Sequence, residues 1–224
     1  MKRNIVFTED GSTSLYLPDK DERYHSYHGA IQESRHVFIN SGFHYMLSKC
    51  NTITILEVGF GTGLNALLTL EAAVKHNKYV NYHAVEPFPL SLSEIENLNY
   101  NSFIAGGRYV SDFNKMHSIE FQKWEAIHPS LQLIKYKKEL LKCAFQDKFD
   151  LIYYDAFGPQ SHPEMWEKEP LEHVVAHLSS DGILVTYSVK GSVKRILKGL
   201  GLKVKKLPGA PGKREMMIAG ANCC

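Results

Sequence analysis

The sequence predicts an α/β fold, an open and mostly parallel sheet with helices on both faces, and three stretches predict it. Ile53-Thr54-Ile55-Leu56-Glu57-Val58 is a short β-branched and leucine run that meets three closely spaced glycines, Gly59, Gly61 and Gly63, and then passes into the apolar segment Leu64 to Ala73. Val80 to Glu86 alternates as a second strand and ends on an acid a little over twenty residues past the glycines. Asp150 to Tyr154 reads as a buried strand that delivers Asp155 to its carboxyl end, where open α/β sheets gather their ligands.

Composition bounds the rest. The chain has 224 residues, 44% hydrophobic and 22% charged, enough for one large domain carrying a small appendage. The expected division is an N-terminal hairpin and helix extension over residues 1–50 and a main domain over 51–224. No apolar run reaches the roughly 20 residues of a membrane span, and Met1-Lys2-Arg3-Asn4 is not followed by a signal-peptide apolar region. The expectation is therefore a cytoplasmic chain with no membrane partner. Cys50, Cys143, Cys223 and Cys224 form no C-x-x-C pair and no framework spacing, so reduced thiols without a catalytic role are expected.

From the start of the chain, Asn4 to Phe7 and Ser14 to Leu17 flank a turn-rich segment and predict a hairpin. Arg23 to Ala30 is dense in Tyr and His. Tyr24 and Tyr27 there either line a place where a base stacks or pack the hairpin onto the domain. His25 and His28 lack a carboxylate or cysteine at ligand spacing, so no metal is expected. A helix is predicted from Ile31 to about Leu47.

Beyond the second strand, Pro87-Phe88-Pro89 turns the chain, and Leu90 to Leu98 is predicted helical with Ser91 or Ser93 and Glu94 or Glu96 for capping. Ser118 to Ile127 is predicted as helix and Leu131 to Tyr136 as the third strand of the sheet. Gly158 and Pro159 break the chain after Asp155, so the next segment loops over the site. A helix is predicted over Pro170 to Leu178. Its His173 and His177 lack the glutamate of H-E-x-x-H, so packing is expected there and not zinc. Gly182 to Ser188 is the fifth strand, and Leu202 to Leu207 with Met216 to Ala219 predicts a closing antiparallel hairpin.

Glycines permit positive φ and close backbone approach, and the helix after them aims its N-terminal amides at a ligand, so Gly59 to Gly63 predicts a nucleotide cradle. A dinucleotide loop reads G-x-G-x-x-G/A, but Leu64 fills its third position, which disfavours NAD. The pattern E-x-G-x-G-x-G, with Glu57 at the strand end, resembles motif I of the class I S-adenosylmethionine methyltransferases. That resemblance implies a Rossmann-like, seven-stranded, mostly parallel sheet of order 3-2-1-4-5-7-6 with a C-terminal antiparallel hairpin. It implies S-adenosyl-L-methionine as cofactor, held by Glu57, Gly59, Gly61, Thr62 and Gly63. Glu86, at its strand end, is the candidate for the ribose hydroxyls, the alternative being an ordinary surface glutamate. Lys137-Lys138-Glu139 occupies the region where many such enzymes contact adenine, so no adenine contact is assigned.

Across nearly its whole length the chain resembles the methyltransferase part of the MnmC family, in Glu57 to Gly63, Val85 to Leu90, Asp155 to Pro159, Pro163 to Trp166 and Gly212 to Met216. Tyr24 to Ser26 and Glu33 to Phe38 are similar as well. The resemblance implies conversion of 5-aminomethyl-2-thiouridine to 5-methylaminomethyl-2-thiouridine at the wobble position of tRNA. The acceptor amine must be presented neutral, and Asp155 is the candidate to orient it and take up its proton. Bifunctional members carry an FAD-dependent oxidoreductase domain. The expectation here is the free-standing, methyltransferase-only form often called MnmD, with any such oxidoreductase partner on a separate chain.

Net charge is only +2, but its distribution is uneven. From Gly182 through Arg214 there is no Asp or Glu, while Lys203, Lys205, Lys206, Lys213 and Arg214 cluster near its end. That patch suits phosphate contacts to the anticodon arm of a tRNA, or else is a solvated face. Two rivals differ in what they need. A methyltransferase for a protein or small-molecule amine needs no basic tail, and a non-catalytic RNA-binding module needs neither Glu86 nor Asp155.

Overall fold

A computed structural model of the chain describes residues 2–223, so the terminal Cys224 lies outside the described residues. The N-terminal hairpin forms as β1 (Asn4–Phe7) and β2 (Thr13–Leu17), and a short β3 (Glu22–Arg23) adds a third antiparallel strand. A helix, α1, follows over residues 30–46, its central half (Arg35–Phe43) wound with the wider i→i+5 turn. Gly42 lets this helix lie close on the sheet: a Cβ there would stand 3.2 Å from both Tyr153 and Val185.

The main sheet is built from β4 (Thr52–Val58), β5 (Tyr79–Val85), β6 (Glu125–His128), β7 (Leu131–Tyr136), β8 (Phe149–Tyr154), β9 (Leu178–Thr186), β10 (Lys203–Pro208) and β11 (Glu215–Gly220). Its order is β10-β11-β9-β8-β4-β5-β7-β6. Strands β7, β5, β4, β8 and β9 are parallel, and β11 and β10 return antiparallel. This is the expected 3-2-1-4-5-7-6 order with one strand more, because β6 pairs antiparallel on the β7 edge.

That extra strand corrects the helix expected over Ser118 to Ile127. The helix lies earlier, at α4 (Val110–Ser118), where Phe113 and Met116 bury a helical stripe. It ends at Ile119, which turns extended, and Phe121 then bridges to Lys135 before β6 begins. The aromatic spacing was met by a strand edge, which buries alternate residues as readily as a helix buries one face.

The helices between the strands are α2 (Leu64–Lys75), α3 (Leu92–Glu96), α4, α5 (Lys168–Val175) and α6 (Gly191–Gly199). Ser91 and Glu94 close a capping box on α3. The two-residue period of β4 divides the core. Ile53 and Ile55 face α1, α2 and α4, whereas Leu56 and Val58 face α5 and α6 with Ile152, Leu171 and Leu197. Glu57, next in the first series, therefore faces α2.

Among the described residues no helix is long and apolar enough to cross a membrane, and no group of three or more His, Cys, Asp or Glu is arranged to hold a metal.

Candidate donor and acceptor cavity

The carboxyl ends of β4, β5 and β8 open on one cavity of about 880 Å³. Its floor is the glycine turn. Gly59, Gly61 and Gly63 have φ of 95°, 50° and 73°, the left-handed region that side chains resist. A Cβ on Gly59 would stand 2.7 Å from the Asp155 carbonyl oxygen, so the turn and the end of β8 pack backbone against backbone. Gly59 and Phe60 each donate an N–H to the Val85 carbonyl, at 3.0 and 3.1 Å, which ties the turn to the end of β5. Gly63 then opens α2, a helix of 12 residues whose first two, Leu64 and Asn65, line the cavity.

Glu86 leaves the end of β5 and accepts the Gly61 N–H at 2.9 Å and the Phe88 N–H at 2.8 Å. Burial pushes its carboxyl up, while these two donors pull it back. Across the cavity, burial pushes the Asp155 carboxyl well above the usual range. The bond from Asn65 and the Lys213 ammonium pull it down, and Glu33 pushes it up.

The N-terminal sheet and α1 roof this cavity. Tyr24 packs edge-on against Phe157 at 4.9 Å, lies over Gly61, and accepts from Arg3 Nε at 2.9 Å. Burial pushes its hydroxyl up to about 12. Tyr27, 54% exposed, stands at the mouth. Lys213 enters from the β10–β11 turn, where its Nζ pairs with Glu33 and sits 4.3 Å over the Tyr187 ring.

Of the residues singled out in the sequence, Gly59, Gly61, Thr62, Glu86, Asp155, Tyr24, Tyr27 and Lys213 line this one cavity. Glu57 does not. It is 0% exposed and accepts from Asn65 beneath the floor. Gly63 caps α2 with its Cα toward His117 and Phe60. Lys203, Lys205 and Lys206 are exposed along the edge strand β10, and Arg214 is exposed in the turn after it. Lys206 pairs with Glu215 at 2.6 Å.

Asn65, Glu33 and Tyr187 were not singled out as site residues. Asn65 had a signal, since it is the one polar side chain in Leu64-Asn65-Ala66-Leu67-Leu68. Glu33 lay within a segment of family resemblance with no role attached and Tyr187 had no signal, because long-range folding alone brings them to Lys213.

An open sheet with a glycine turn, a helix N-terminus and an acid at the neighbouring strand end defines a nucleotide-binding α/β enzyme class. These residues fit S-adenosylmethionine: bare glycine backbone admits close approach, and Glu86 offers a carboxylate at the cavity beside the glycine turn.

A family model described as S-adenosyl-L-methionine-dependent methyltransferase matches residues 104–222. The chain belongs to this family. It is 33% identical over 211 residues to the tRNA 5-methylaminomethyl-2-thiouridine biosynthesis bifunctional protein MnmC of Leptospira interrogans, covering 88% of this chain and 32% of that protein. The Burkholderia multivorans protein of the same name is 27% identical over 232 residues, covering 96% of this chain and 34% of its own length. The chain thus spans about a third of the length of the curated relatives it matches. The crystal structure of MNMC2 from Aquifex aeolicus superposes with a TM-score of 0.84 at 27% identity, covering 100% of this chain and 72% of that one. The cofactor of this methyltransferase is S-adenosyl-L-methionine.

Proposed function

We propose that the protein methylates the primary amine of 5-aminomethyl-2-thiouridine at the tRNA wobble position, giving 5-methylaminomethyl-2-thiouridine. One observation carries this reading. Asp155 shares a single cavity with the glycine turn and Glu86, so a carboxylate stands within the same enclosure as the donor's binding elements. S-adenosylmethionine supplies an electrophilic methyl carbon on its sulfonium. Gly59, Gly61, Thr62 and the α2 amides bind its methionine part, Gly63 sets the helix start, and Glu86 takes the ribose hydroxyls.

Asp155 does the work on the acceptor. An alkylammonium has no lone pair, so a base must accept its proton, and a carboxyl whose proton affinity is raised by burial is suited to that near neutral pH. Holding the nitrogen in line with the methyl carbon contributes more: good alignment can lower a barrier by roughly 7–11 kcal/mol.

The RNA reading is supported by chemistry outside the cavity. Lys203, Lys205 and Lys206 line an exposed sheet edge, with Arg214 beside it, and suit the phosphates of an anticodon arm. Tyr27 at the mouth suits a stacked base. Tyr24, held by Arg3 and packed on Gly61, shapes the donor end instead. On this reading residues 1–50 are the extension that roofs the acceptor side of the 51–224 domain, the protein acts in the cytoplasm, and an FAD-dependent oxidoreductase works from a separate chain.

The test is transfer of labelled methyl from S-adenosylmethionine to tRNA from cells lacking this modification, followed by nucleoside analysis. Label in 5-methylaminomethyl-2-thiouridine is expected. Label in protein, with none in that tRNA, would reject the substrate.

A further inference from the structure

Asn65 occupies the first turn of α2, is 4% exposed, and lies beneath two acids from different strands. Its Nδ2 donates to Glu57 Oε1 at 2.9 Å and to Asp155 Oδ2 at 2.8 Å. The sheet makes this meeting unavoidable. β4 and β8 run parallel with Glu57 opposite Tyr153, so Glu57 and, two residues beyond Tyr153, Asp155 point to the same face. That face is covered by the first turn of α2.

We propose that Asn65 is a positioning residue for methyl transfer: its single amide nitrogen holds Glu57 and Asp155 together and so aims the Asp155 carboxylate into the cavity. The inference rests on the reading of Asp155 as the partner of the acceptor amine. A primary amide offers two N–H bonds fixed in one plane, which leaves Asp155 little freedom to rotate. One Asp155 oxygen is occupied below, and the other is left for the cavity.

The same arrangement couples the two acids. On the buried side of the cluster, away from the cavity, the Tyr82 hydroxyl lies within hydrogen-bonding influence of Glu57. Burial pushes Glu57 well above the usual carboxylate range, with the Asp155 charge pushing the same way and the Asn65 bond opposing. Asp155 is faced in addition by Glu33 from α1, by Lys213 from the β10–β11 turn, and by Tyr187 after β9, whose hydroxyl is itself pushed up by burial and by the Asp155 charge. Two acids bridged by one donor lose their protons in coupled steps. Asp155 is the member of the pair that lines the cavity, and Glu57 is sealed beneath it.

The experiment is a carboxyl-carbon NMR titration of the full-length, donor-free protein with labelled aspartate, the Asp155 resonance being identified by its loss in Asp155→Asn. In the native chain this resonance is expected to show two inflections, its own and that of Glu57. In Asn65→Leu, similar in size but without donors, its main inflection rises by on the order of one pH unit. Transfer assays on the same variant are expected to give a kcat about 10–100-fold lower with KM for tRNA within about 3-fold. Glu57→Gln, which keeps the acceptor for Asn65, is expected to leave one inflection and decides the matter if Asn65→Leu does not fold. An Asp155 resonance with one inflection in the native chain, unmoved by either substitution, overturns the proposal. Methyl transfer surviving in Asp155→Asn would instead overturn the role of Asp155 itself, a separate failure.

Discussion

Glu86 accepts the Gly61 N–H at 2.9 Å, so the acid at the end of β5 braces the glycine turn from the next strand. The two elements proposed to hold the donor are therefore one connected unit. Glu86→Ala removes both the brace and the proposed ribose partner. Donor affinity should fall about 10–100-fold by calorimetry, the scale of a charge-assisted hydrogen bond. Unchanged affinity would remove Glu86 from the site.

Gly59 sits at φ 95° with the Asp155 carbonyl 2.7 Å from where a Cβ would go. Gly59→Ala strains the turn and pushes the end of β8 away. A loss of about 1–3 kcal/mol in stability is expected, with donor binding weakened in the protein that still folds. Urea unfolding and calorimetry measure the two effects.

Asp155→Asn should separate activity from stability. The amide still accepts from Asn65 but cannot take a proton, so transfer is expected to fall about 10²–10⁴-fold. Removing a carboxylate that burial disfavours is expected to raise the thermal midpoint at neutral pH. A lowered midpoint would mean that the ionised aspartate is stabilising.

Lys205 and Lys206 lie on the outer edge, whereas Lys213 is inside the cavity on Glu33. The double variant Lys205→Glu, Lys206→Glu should weaken tRNA binding and reduce the slope of log affinity against log salt by about 2. Part of the Lys206 effect passes through Glu215, its partner at 2.6 Å. Lys213→Met should change that slope little. Equal slopes in all three proteins would place the RNA elsewhere.

His25, His83 and His117 are pulled down to about 4, each chiefly by burial. Unfolding restores an ordinary value near 6.5, so between about pH 6.5 and 4 the unfolded chain binds more protons. Stability therefore falls as pH falls through this window, at up to about 4 kcal/mol per pH unit if all three contribute. Below pH 4 their contribution is lost in full. His83→Phe should remove about a third of the slope in urea titrations.

The parallel sheet was legible because β4, β5, β7 and β8 are short, mostly apolar segments rich in β-branched, leucine and aromatic residues whose later positions are largely buried. Glu86 and Asp155 were legible for the same reason: an acid at the end of such a run has little structural cause to be there. The region from Ser118 to Ile127 was not, since its aromatic spacing satisfies an edge strand as well as a helix. Lys213 read as one more phosphate contact in a basic tail. Only the packing of the β10–β11 turn against α1 puts it on Glu33. Asn65 was visible as a lone polar residue, but its partners lie 8 and 90 positions away, and no local pattern joins them.

The central claim is that one cavity presents the donor's methyl group to Asp155. A crystal structure of the protein with S-adenosylhomocysteine tests it most directly. The account predicts ribose hydroxyls on Glu86, the methionine part along Gly59 to Gly63, and the sulfur facing the free Asp155 oxygen across a gap that admits an amine. A ligand bound away from the glycine turn, or a sulfur facing away from Asp155, would contradict it.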